Sequence, residues 1–143
     1  MNVEPIHTAD DDPRWQMPYT PALKVSGGAT VYVSGVTAGP VYHSHPHLLE
    51  EFADVPSDPG EQAQRAFDNL ERILIASGAT LEDVVQLFRF IVDIDRNQDA
   101  INRVQAKRMS TRATSTTVEV TRLASAPGLW LELTAVAAVD ENR

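Results

Sequence analysis

Residues 58–93 read DPGEQAQRAFDNLERILIASGATLEDVVQLFRFIVD, and their reading decides the fold. Asp58, Pro59 and Glu61 mark a helix start. An aspartate accepts from free backbone N–H groups, proline suits the first turn, and an acid there complements the positive helix end. Ala63, Ala66, Phe67, Leu70, Ile73 and Leu74 then recur at helical spacing and lay one apolar stripe along one face. Gly78 supplies a left-handed stop. After a turn at 80–83, residues 84–93 are apolar on both parities, which predicts a central strand covered by helices on one face.

Working outward, a second helix fits residues 96–109, with Ala100, Ile101 and Val104 as its inner stripe and Asp93, Asp95 and Asp99 at its positive end. Two β-type runs follow, 116–123 and 129–139, joined by a turn at 124–128 and read as a hairpin. Upstream, residues 22–25 and 30–35 flank Gly27-Gly28, a hairpin signal. Residues 1–17 read as an extended arm, and 18–143 as one domain. Residues 36–60 form a long loop carrying three of the four histidines, and loops of that length tend to be functional. The order predicts an α+β fold: a mixed sheet with two helices packed on one face.

Composition narrows the function. The chain has 143 residues, enough for one core, and 12 Lys+Arg against 20 Asp+Glu, a net charge of −8. That balance speaks against a phosphate-backbone binder, because such affinity comes from Lys and Arg. No cysteine is present, so a disulfide framework, a thiolate metal cluster and a Cys nucleophile are all excluded. No run approaches the ~18 apolar residues of a membrane helix, and the acidic start is unlike a signal peptide. The expectation is a cytoplasmic protein with a small-molecule partner, no nucleic acid and no membrane.

Six motifs in register point further: Met17-Pro18-Tyr19, Val33-Ser34-Gly35-Val36, Glu61-Gln62 leading into Ala66-Phe67-Asp68-Asn69-Leu70, Ala79-Thr80-Leu81-Glu82-Asp83-Val84-Val85, Val118-Glu119-Val120-Thr121-Arg122-Leu123, and Leu131-Glu132-Leu133-Thr134-Ala135-Val136-Ala137. Together they resemble the YjgF/Rid family of reactive-intermediate (enamine/imine) deaminases, from about residue 18 to 139. The resemblance implies a chorismate-mutase-like fold, a homotrimer with a cleft at each subunit interface, and hydrolysis of small enamines or imines without metal or cofactor. It also implies catalytic roles for Tyr19, Ser34 and Glu132, with Gly35, Asn102 and Thr117 binding substrate. The best-known branch's carboxylate-gripping Arg is replaced here by Ser115, and its Cys two residues further on by Thr117. A serine cannot make a bidentate fork to a carboxylate. Either another cation substitutes, Arg112 being nearest in sequence, or the substrate carries no carboxylate there.

The residues themselves support this assignment to different degrees. Glu132 lies on the parity opposite Leu131 and Leu133, and a carboxylate at the edge of a partly apolar cleft suits general-base work. Gly35 permits close backbone approach to a substrate. His43-Ser44-His45-Pro46-His47 puts three imidazoles on one side of an extended segment. Imidazole binds metals and titrates near neutrality, but the spacing is tight and Pro46 interrupts it. The expectation is no metal, with His45 reaching the substrate. Two other readings reuse the same cleft: a tautomerase, cyclase or dehydratase, and a non-catalytic small-ligand-binding trimer.

Overall fold

Asp58 accepts a hydrogen bond from the Glu61 backbone N–H at 2.9 Å and so opens helix α1 (Pro59–Ala76). Its apolar stripe buries Ala63, Ala66, Phe67, Leu70 and Leu74. Gly78 ends it at φ +78°, the left-handed conformation a stop requires. The structure is a computed structural model that describes residues 1–143 apart from Pro13, Trp15, Thr111 and Arg112.

Around α1 run β1 (Asn2–Ile6), β2 (Ala22–Ser26), β3 (Ala29–Val36), β4 (Val84–Ile91), α2 (Ile94–Arg108), β5 (Thr114–Glu119) and β6 (Leu131–Val139). The main sheet has the order β3-β6-β4-β5. β6 is antiparallel to both neighbours, and β4 and β5 are parallel. The sheet is mixed, as expected. The two predicted hairpins pair differently. Gly27 and Gly28 do turn the chain, at φ +72° and +79°, but β2 pairs with β1 rather than β3. β5 and β6 are not neighbours, because β4 lies between them. Helix α2 carries the chain over from β4 to β5, a crossover that parallel strands require.

Both helices pack on one face. Leu87 and Ile91 of β4 and Leu131, Leu133, Ala135 and Ala137 of β6 meet Phe67, Leu70, Leu74, Ile101 and Val104 there. The opposite face carries Phe88, Phe90, Glu132, Thr134 and Val136, in cross-strand register. A second cluster of Ala38, Phe52, Leu123, Ala126 and Leu129 packs against Phe90 and Val120 and seats the long loop. The rest of that face stays open, with Tyr32 79% and Val118 41% exposed. Among the described residues no helix is long and apolar enough to cross a membrane.

Gln62 joins α1 to the segment entering β6. It is fully buried, donates to the carbonyls of Pro56 (2.8 Å) and Gly128 (2.7 Å), and accepts from the Trp130 N–H (2.8 Å). Gln62→Leu leaves those three backbone groups without partners and should cost about 2–4 kcal/mol. Guanidinium unfolding measures this, and a loss below about 1 kcal/mol would overturn the assignment.

Candidate active site

The register of the sheet divides the candidate residues between its two faces. Glu132 projects from β6 on the open face, opposite Phe90 of β4. Facing it is the bulge in β3 between Val33 and Val36, which contains Ser34 and Gly35. A Cβ at Gly35 would land on the Glu132 carboxylate, so the missing side chain makes the room that the acid occupies. Ser34 stands beside it, exposed. Gly35, Glu132, Thr134, Phe90, Val120 and Arg122 line a cleft of about 340 Å³. Glu132 has no hydrogen-bond partner among the described residues, and burial raises its carboxyl pKa above the ordinary glutamate value.

Tyr19, Asn102, Ser115 and Thr117 gather elsewhere, in a cleft of about 770 Å³ under α2, on the helix-covered side. At its floor lies a residue that sequence reading passed over, Arg89. It shares the parity of Leu87 and Ile91 and is 7% exposed. Its Nε donates to Thr117 Oγ1 at 2.9 Å, and its Nη1 to Asn102 Oδ1 at 2.7 Å and Gln105 Oε1 at 3.0 Å. All three partners are neutral. Among the described residues no carboxylate lies within ion-pair distance of Arg89 and no acceptor engages its Nη2. Burial pulls its pKa below the ordinary value, yet a guanidinium keeps its charge near neutrality. Arg108, also on α2's side, shows the contrast. It bridges to Asp68 at 2.7 Å and Glu71 at 3.0 Å on α1, a structural tie between helices. The one available signal for Arg89 was a lone charge in an apolar strand.

Arg112 lies outside the described residues. His43, His45 and His47 converge on one another in the long loop and line neither cleft. One chain therefore holds two separate clefts, with Glu132 and Arg89 on opposite faces of one sheet.

The chain matches the family described as Endoribonuclease L-PSP over residues 10–139. It belongs to the YjgF/Rid family. Among Rid relatives, a protein named reactive intermediate deaminase TdcF from Escherichia coli K12 is 26% identical over 119 residues, 79% of this chain and 92% of that protein. Its crystal structure with bound serine superposes with a TM-score of 0.63 at 25% identity, covering 87% of this chain and 90% of that one. A RutC family protein from Sulfurisphaera tokodaii is 36% identical over 107 residues, 74% of this chain and 77% of that protein. The Rid family protein YyfB from Yersinia pestis superposes with a TM-score of 0.74 at 25% identity, covering 97% of this chain and all 100% of that one. The α+β architecture, two helices on a mixed sheet, is the Rid fold.

Proposed function

We propose that this Rid protein is a hydrolytic deaminase of a small, carboxylate-bearing enamine or imine, working in clefts between the chains of a homotrimer. The observation that carries this reading is the pair of opposed, incomplete half-sites. Glu132 is an unpartnered carboxylate that can handle water, and Arg89 is a buried cation that can hold an anion. A sheet separates them within one chain, so a substrate touching both needs a second chain. The uncovered face with Tyr32 and Val118 supplies an apolar surface for that contact.

The chemistry asks little of the protein. An enamine tautomerises to its imine, which takes a proton from solvent to become the iminium, and water adds to the iminium carbon while Glu132 accepts a water proton. Glu132 then passes that proton to nitrogen, and as the C–N bond breaks it takes up the carbinolamine hydroxyl proton and releases it to solvent, leaving a carbonyl and ammonia. Iminium carbons are already electrophilic, so positioning and charge stabilisation suffice. Arg89 Nη2 takes the carboxylate, and Tyr19 closes the same cleft. This answers the substitution at Ser115 with a cation from the neighbouring strand, two residues further along the register.

Imines of small 2-amino acids, generated in situ by an amino-acid oxidase, provide the test. The protein should speed the appearance of 2-keto acid and of equimolar ammonia above the spontaneous rate, and light scattering should give three times the chain mass. A tautomerase or cyclase would consume substrate without ammonia, a binding protein would show saturation without turnover, and a monomer would lack the shared cleft. Any of these results overturns the proposal.

A further inference from the structure

The long loop contains an arrangement that the deaminase reading does not use. The imidazoles of His43, His45 and His47 form a nearly equilateral triangle, with ring centroids 4.8, 5.0 and 4.9 Å apart. One nitrogen of each lies within 4.8 Å of the other two. Among the described residues no hydrogen bond joins the three rings to one another, and neither His45 nor His47 makes one to any other group.

The setting is built rather than incidental. His43 Nδ1 lies 3.0 Å from the Pro40 carbonyl, so it carries the proton and its Nε2 presents a lone pair. Histidine ligands of metals are held in this way, one nitrogen on a backbone carbonyl and the other free. Phe52 packs edge-on against His43 at 5.2 Å and His47 at 6.3 Å, and it belongs to the second core cluster. Gly39 lets that ring sit close to the backbone, since a Cβ there would lie 2.6 Å from Phe52 Cε1. Glu51 accepts from the Ser44 N–H at 2.8 Å and from its hydroxyl at 2.7 Å, which closes the loop on itself. Asn69 of α1 donates to the carbonyls of Thr37 (2.8 Å) and Gly39 (2.9 Å) and anchors its start.

We propose that His43, His45 and His47 bind one divalent late-transition metal ion of the zinc class per chain. Three imidazoles and no thiolate suit zinc, nickel or copper(II), whereas magnesium and calcium prefer oxygen. Tetrahedral zinc at ~2.0–2.1 Å from each nitrogen needs nitrogens about 3.4 Å apart. Closing the observed triangle takes tip movements on the order of 1 Å, within the freedom of surface rotamers. His45 is exposed, so the fourth coordination position faces solvent and takes water.

Calorimetry on chelator-treated, tag-free protein with zinc chloride alone tests the assignment without any turnover assay. One equivalent per chain should bind with a Kd on the order of micromolar or tighter, while magnesium chloride gives no heat. His45→Gln and His47→Gln should each weaken binding by about tenfold or more, and His7→Gln, at the remaining histidine, should not. Ring-proton NMR of the unmodified protein gives a second reading: zinc should move three of the four histidine spin systems and leave His7 in place. Absence of saturable binding, binding that survives loss of the loop histidines, or zinc shifts at His7 would overturn the assignment. Failure of the ammonia assay would leave it standing, because neither cleft contributes a ligand.

Discussion

Glu132→Gln should lower turnover by about two orders of magnitude or more, because the amide cannot take a proton from water, while the protein stays at least as stable near neutrality. The two halves of this result separate a catalytic acid from a structural one. Glutamine has the same shape, so it fits the space that Gly35 leaves open. Burial raises the Glu132 pKa, so its ionised form is disfavoured in the fold relative to the unfolded chain. The folded state then holds its proton longer. The stability linked to this group is fully present below the unfolded pKa and is lost as pH rises through the folded one. Removing the charge therefore relieves a cost near neutrality. In the wild type, kcat/KM should fall with acid along a limb lying above the ordinary glutamate value of 4.5. A variant that keeps full activity, or melts well below the wild type, would remove Glu132 from the mechanism.

Arg89→Met should raise KM for a carboxylate-bearing imine by about a hundredfold or more, the effect of losing a buried charge-assisted contact. An analogue lacking the carboxylate should be processed as before. The split matters because a purely structural Arg89 would impair both substrates alike. Stability should change by no more than about 1 kcal/mol, since an isolated buried cation contributes little to folding and cleft water can serve the freed acceptors on Asn102, Gln105 and Thr117. Lysine should not rescue, because one ammonium cannot satisfy three acceptors in a plane and still fork to a carboxylate. Equal KM changes for the two substrates would show that the anion is held elsewhere.

The helices and the open-face carboxylate were legible because their signals are local. Asp58, Pro59 and Gly78 bound α1 through groups within a few residues, and its apolar stripe needs only helical geometry. The second helix, expected at 96–109, runs Ile94–Arg108, a shift within the usual fraying of ends. Glu132 follows from strand parity together with the family motif around it. Pairing was harder to read. Gly27-Gly28 announces a turn, but whether β2 then pairs with β3 or with β1 depends on competition between distant strands. Likewise, residues 124–128 announce a break, and only the insertion of β4 between β5 and β6 shows that it is not a hairpin.

What the sequence alone determined is both helices and the strands other than β1, which lies in the stretch read as an arm, together with the α+β class, the family and the absence of thiolate chemistry. These rest on periodicity, capping, composition and motifs, all written along the chain. Tertiary structure decided which residues meet. It put Arg89 beneath α2 with three neutral partners, set Glu132 and Arg89 on opposite faces, and brought three loop imidazoles together. The physical reason is that such contacts join residues separated by turns and whole elements. Strand parity assigns a side chain to a face, but only the packed sheet, helices and loop determine what stands opposite it.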